Sequence, residues 1–339
     1  MPDRDRLMER LADGVFDPPV AFRDLADYHL DFTKLTAAGA AVSPEADLRE
    51  RAERPAGCCT VVGGGGSGKS SLIAAVAASL SPTRFPVRVQ GVNNAAALTR
   101  EGFALHIARE TLRALESTQL RRAADRTLRQ PRGRLSASSR RIAGAAAMSL
   151  GISVPVEFRA QVSSTAREVI VERDAVSIAQ GIEELVQITA DFDRRLLLVV
   201  EDTDVFMPPD PIGRAERDRA RRFVDSVLTY LAREFPASSM VAINSRYRAL
   251  IPRGTVAAVE VPPLRSAAIG LLIEHYALQG GLHLSADQVA EPEALAYVAG
   301  RYAETKDIRR TLELLHKAAR KMAGEARGDR ITVDVLHGL

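Results

Sequence analysis

Gly63-Gly64-Gly65-Gly66-Ser67-Gly68-Lys69-Ser70 is a stretch whose residue types and spacing point to a chemistry by themselves. A glycine, four residues and then Gly-Lys-Ser let successive backbone N–H groups turn inward around phosphate oxygens, because glycine has no side chain to block the turn. A helix starting near Lys69 adds the positive end of its dipole, and Lys69 brings a point charge for the β- and γ-phosphates. The Ser70 hydroxyl is a hard ligand for Mg²⁺. Gly63 to Ser71 therefore reads as a site for ATP with Mg²⁺, provided a strand enters it and a helix leaves it.

That context is met. Cys58–Gly63 is a short apolar, β-branched run, and after the glycines Leu72, Ile73, Val76 and Leu80 recur at helical spacing. Binding alone does not cleave ATP; cleavage needs acids at the end of a buried strand. Leu196-Leu-Leu-Val-Val200 is such a strand, and it runs into Glu201-Asp202-Thr203-Asp204.

Several elements must position these groups. Strands are predicted at Phe85–Gly91, Ser239–Ile243 and Val256–Val261, with helices over about 99–115 and through Ile182, Leu185 and Ile188. Strands alternating with helices give an α/β, doubly wound parallel-sheet P-loop domain. After Pro262-Pro263 the chain reads as entirely helical, through Leu264–Leu278, Ala294–Tyr302, Asp307–Ala323 and a last short helix for which Thr332 is the expected cap. The expected division is an arm over 1–55, the α/β domain over 56–262 and a small all-α lid domain over 263–339. An insertion over about 118–172 interrupts the α/β domain. It opens with eight arginines between Arg121 and Arg141 against one acid, Asp125, and Ile152–Val171 then alternates like a β-hairpin.

With 46% hydrophobic residues, 339 residues suffice for an α/β core and a satellite. The net charge is +3 with a sequence pI near 9.0, and Lys occupies five positions, so arginine carries the positive charge. An anionic partner, double-stranded DNA through Arg121–Arg141, is one expectation; an acidic protein partner is the other. Adjacent Cys58 and Cys59 should point to opposite faces of their strand as buried thiols, consistent with a reducing cytoplasm. A charged amino terminus and a longest uncharged run of about 15 residues, Ile142 to Val156, exclude a secretory leader and a membrane span from the expectations, leaving a cytoplasmic protein. The histidines show no metal-ligand spacing, and no metal beyond Mg²⁺ is expected.

Over about 56–339 the sequence resembles the AAA+ ATPases, nearest in layout to origin-recognition initiators and transposition-regulator ATPases. The acidic stretch Glu201–Asp204 also resembles that of the STAND and KAP-type P-loop ATPases. The resemblance implies that Glu201 belongs to the metal shell and that Asp202 polarises the attacking water. A shifted register instead gives Asp202 the metal and leaves Asp204 near the water; Asp202 is the essential acid in both. It further implies a polar sensor at Asn244, an arginine finger acting on a neighbouring subunit at Arg253 (with Arg246 and Arg248 as rivals), and a lid arginine reaching the phosphates at Arg309. In the lid motif Lys306 stands where the family has glycine. Asn93, with Asn94 as rival, matches a switch position. The initiators carry a winged-helix domain after the lid, for which the sequence to Leu339 has no room, so sequence-specific origin binding is not expected. The reading is an ATP-hydrolysing homo-oligomeric switch acting on DNA in transposition or defence. The alternative is a slow signalling ATPase that gates a protein–protein interaction.

Overall fold

The computed structural model describes residues 7–17, 19, 21–36, 43–89, 98–128, 175–190, 193–208, 213–325 and 328–339. Five strands, β1 (Gly57–Gly63), β2 (Arg84–Val89), β3 (Arg195–Val200), β4 (Ser238–Asn244) and β5 (Ala257–Glu260), form one parallel sheet in the order β2-β3-β4-β1-β5. Continuous apolar runs such as Leu196–Val200 need cover on both faces, and helices supply it.

On one face Cys59, Val61, Val199 and Met240 pack with the helix Lys69–Leu80, the amino-terminal segments and the carboxy-terminal helices. On the other, Cys58, Val62, Leu198 and Val241 pack with Phe103, Ile107, Ile182 and Phe223. The adjacent cysteines thus lie in opposite layers, as strand alternation requires. Both are free, and burial pushes both thiols up to about 12, which makes them inert.

The fold class is α/β with a helical carboxy-terminal region. Its helices are Ala268–Gln279, the short Ala286–Val289, Pro292–Thr305, Ile308–Glu325 and Val333–His337, and their core is continuous with one face of the sheet through Leu264, Leu272, Leu312 and Leu315. The first begins at Ala268 rather than Leu264; the segment before it is held by the Leu264 N–H donating to the Tyr302 hydroxyl at 2.8 Å and the Arg265 N–H donating to the Leu35 carbonyl at 2.9 Å. Thr332 stands at the cap of the last helix, but its side chain makes no capping hydrogen bond.

An element absent from the sequence reading joins β3 to β4. Arg214–Arg222 continues through a π-helical turn, Phe223–Leu228, into Thr229–Arg233, and buries Phe223, Val224, Val227, Leu228 and Leu231. The helix after β2 spans Arg100–Leu128, beyond the predicted end near 115, so the backbone at Arg121, Arg122 and Arg126 is helical. The rest of the arginine-rich stretch and the expected hairpin at Ile152–Val171 lie outside the described residues.

Lys306 ends the helix Pro292–Thr305 in the left-handed region at φ 54°. Glycine is at ease there and a lysine is strained. Its ammonium lies 5.7 Å from the Tyr302 ring centroid, a partial compensation at an exposed site. Lys306→Gly should therefore stabilise the protein by roughly 0.5–1 kcal/mol, read as a higher midpoint in urea at unchanged slope. A lower midpoint would mean that the ring contact outweighs the strain.

Candidate nucleotide site

β1 delivers the glycine loop to the carboxyl end of the sheet, where ligands of open parallel sheets bind. Gly66 and Gly68 take left-handed backbone at φ 61° and 93°, and this winds the loop into the helix Lys69–Leu80. At Gly66 the need for glycine is also steric: a Cβ would overlap the Asp307 carboxylate of the carboxy-terminal region. The same region docks on the loop through the Ile308 N–H, which donates to the Gly66 carbonyl at 2.9 Å. Lys69 Nζ donates to the carbonyls of Gly63 at 3.1 Å and Gly64 at 2.6 Å. Burial, the largest effect, lowers the Lys69 pKa, opposed by Asp204 and Asp307 and reinforced by Arg309.

β3 delivers the acids. Glu201 is 1% exposed, while the Asp202 side chain is 63% exposed. The split has a backbone cause: Asp202 turns left-handed at φ 51°, ψ 38°, a conformation aspartate tolerates better than most residues. The Thr203 hydroxyl then clamps the loop by donating to the Ala242 carbonyl at 2.6 Å. Burial pushes the Glu201 carboxyl up to about 7 against the pull of Arg88 and the neighbouring Ser70 hydroxyl. Its Oε2 accepts from Arg88 Nε at 2.7 Å. Its Oε1 is buried and lacks a hydrogen-bond partner among the described residues. Desolvation raises the Asp204 pKa, with Lys69 and Arg309 acting against it, so Asp204 also faces the cations of the loop region.

A cleft of about 210 Å³ joins the loop residues Gly65–Ser71 to Asp202, Thr203, Asp204 and Arg309. Its apolar wall comes from the amino-terminal arm, through Leu25, Tyr28, Leu30 and Phe32, and from Leu272, Tyr276 and Leu312. Sequence reasoning gave the arm no role at this site. His29 fastens it: Nε2 is 2.9 Å from Glu45 Oε1, Nδ1 is 3.4 Å from the Ser71 hydroxyl, and the Phe32 N–H donates to the same Glu45 oxygen at 2.8 Å. Although burial raises the Glu45 pKa, these two hydrogen bonds prevail and hold it below the usual value.

Of the other expected groups, Arg309 lines the cleft from the first turn of Ile308–Glu325. Asn244 pairs in register with Gly63 but is not among the cleft residues; its Oδ1 accepts from the Arg246 N–H at 3.1 Å and caps the turn Ser245–Leu250. Arg253 is exposed on the turn before β5, Arg246 is exposed, and Arg248 pairs with Glu260 at 2.9 Å. None of the three is among the residues that line this cleft. Asn93 and Asn94 lie outside the described residues.

The donor chemistry here fits Mg²⁺: the orphaned Oε1 of buried Glu201 and the Ser70 hydroxyl near that carboxyl are hard oxygen donors of the kind this ion prefers. No described helix is long and apolar enough to cross a membrane.

No protein-family model and no curated protein matches the chain. Among solved structures it is similar to the Orc1 protein of Aeropyrum pernix in complex with DNA, at 18% identity and a TM-score of 0.47, over 96% of this chain and 67% of that one. Cdc6p from Pyrobaculum aerophilum is similar at 16% identity and a TM-score of 0.43, over 94% and 68%. The Walker-type ATPase PABY2304 of Pyrococcus abyssi is similar at 14% identity and a TM-score of 0.35, over 83% and 72%.

Proposed function

We propose that the chain is a magnesium-dependent ATPase of the AAA+ type that assembles into homo-oligomers and works as a nucleotide-driven switch on DNA. The observation that carries this is the convergence on one cleft of the glycine loop, the acidic end of β3 and Arg309. A nucleotide whose phosphates follow the loop N–H groups would draw Lys69 Nζ away from the Gly63 and Gly64 carbonyls. Its base would lie against Tyr28, Leu30 and Tyr276. Ser70 and Glu201 would hold the magnesium, which when bound neutralises charge on the phosphates. Asp202 is the group for the attacking water, with the more enclosed Asp204 as rival, and Arg309 would meet the γ-phosphate from the lid. Arg253 would complete the site of a neighbouring subunit.

DNA is proposed from the eight arginines between Arg121 and Arg141. The stretch holds no aromatic residue to stack on bases, so phosphate contact is the expected mode. ATP turnover should rise when duplex DNA is added, and binding should weaken with salt, each neutralised phosphate contributing about −0.9 to the slope of log K on log[salt]. Changing Arg121, Arg122, Arg126 and Arg129 to Gln should flatten that slope by roughly 3.6 if each contacts one phosphate. Turnover indifferent to DNA, with an unaltered slope, would leave a slow signalling ATPase as the better reading.

A further inference from the structure

We propose that Arg88 is a positioning residue for the magnesium-binding carboxylate, and that Phe22 of the amino-terminal arm holds it in place. The inference rests on the ATPase reading above and extends it to a residue outside the glycine loop and the acidic run.

Arg88 belongs to β2, whose alternation places Phe85, Val87 and Val89 in the core opposite Arg84, Pro86 and Arg88. β2 pairs with β3 so that Arg88 stands beside Val199 and Val89 beside Val200. The guanidinium is thereby carried to the end of β3, with Nε 2.7 Å from Glu201 Oε2 and Nη2 3.9 Å from Asp202 Oδ2. A carboxylate that is 1% exposed needs a partner to offset its burial, and Arg88 supplies one.

The geometry is one-sided. Arg88 takes Oε2 and leaves the buried Oε1 without a hydrogen bond, in the carboxylate that the Ser70 hydroxyl neighbours. Fixing one oxygen of a carboxylate sets the direction of the other, which is how outer partners orient metal ligands. A guanidinium does this better than an ammonium, because its rigid fork fixes an angle as well as a charge. Arg88 Cζ lies over the Phe22 ring at 5.2 Å from its centroid, and Phe22 sits in the helical turn Phe22–Leu25 of the same arm that walls the cleft. The arm thus reaches the cation ligand as well as the nucleotide wall.

The test is binding of a fluorescent ATP analogue to the full chain, first in EDTA and then across a magnesium titration. In EDTA, Arg88→Ala should bind as the wild type does, within about twofold, because Arg88 is not among the residues lining the cleft. The magnesium midpoint should rise about 10- to 100-fold. Arg88→Lys should restore part of the loss, and Phe22→Leu should shift the midpoint in the same direction by a smaller factor. An unchanged or lower midpoint in Arg88→Ala would overturn the proposal, and so would an equal loss in EDTA and in magnesium. If Arg88→Ala does not fold, Arg88→Lys decides by itself: it keeps the charge, and a wild-type midpoint refutes the role of the fork. Failure of the wild type to bind the analogue in either buffer would instead refute the ATPase reading.

Discussion

Lys69→Ala should lower ATP affinity by about 10²-fold or more, enough to abolish the stabilisation that ATP gives the wild type. The lysine is partly buried and desolvation lowers its pKa, so its charge is held in the site at a cost that an anionic ligand would offset. It hydrogen-bonds two loop carbonyls, Gly63 and Gly64, contacts that it would exchange for phosphate oxygens. Charge-assisted hydrogen bonds to phosphate are worth about 1.5–3 kcal/mol each, and about 1.4 kcal/mol is a factor of ten in affinity. At 100 times the dissociation constant, ATP should stabilise the wild type by roughly 2.7 kcal/mol, and the variant should show almost none of this in the same thermal melt. An equal shift in both proteins would remove the glycine loop from nucleotide binding.

The glycine loop, the acidic run and the alternation of strands and helices were legible in the sequence because each depends on local rules. Gly66 and Gly68 need left-handed backbone, Leu196–Val200 can only be a buried strand, and the two cysteines must diverge. What escaped depends on contacts far apart in the chain. Arg88 is separated by 113 residues from the glutamate it orients, and nothing in Arg84-Phe-Pro-Val-Arg-Val89 states that partner. A charge inside a strand of a parallel sheet was still a usable signal, since such a residue needs a partner. His29 reaches Ser71 across 42 residues, and only the fold brings the arm to the loop. The helix Arg214–Arg233 was missed for a different reason. Its exposed arginines mask the buried series Phe223, Val224, Val227, Leu228 and Leu231, and a π turn breaks the 3.6-residue period on which the reading relied.

Asp202→Asn should keep ATP and magnesium binding while losing about 10²- to 10⁴-fold in turnover, whereas Glu201→Gln should fail earlier, at the magnesium dependence of binding. The two acids are adjacent, yet the left-handed turn at Asp202 sends them into different surroundings. Glu201 is enclosed beside Ser70 with one oxygen bound to Arg88 and the other unsatisfied, which suits a ligand fixed on a metal. Asp202 is open to solvent on the cleft side, which suits a group that must meet a water and hand on its proton. Removing its charge leaves the phosphate contacts of the loop intact, so affinity should hold while the chemical step slows. Asp204 supplies the control. It lines the same cleft and responds to Lys69 and Arg309, so under the shifted register Asp204→Asn, rather than Asp202→Asn, would carry the turnover defect. Single-turnover hydrolysis at saturating magnesium and ATP separates the cases, because it reads the chemical step free of binding. If Asp202→Asn turns over at the wild-type rate while Asp204→Asn is inactive, the water belongs to Asp204. If both are active and only Glu201→Gln is dead, a single acid serves metal and water alike.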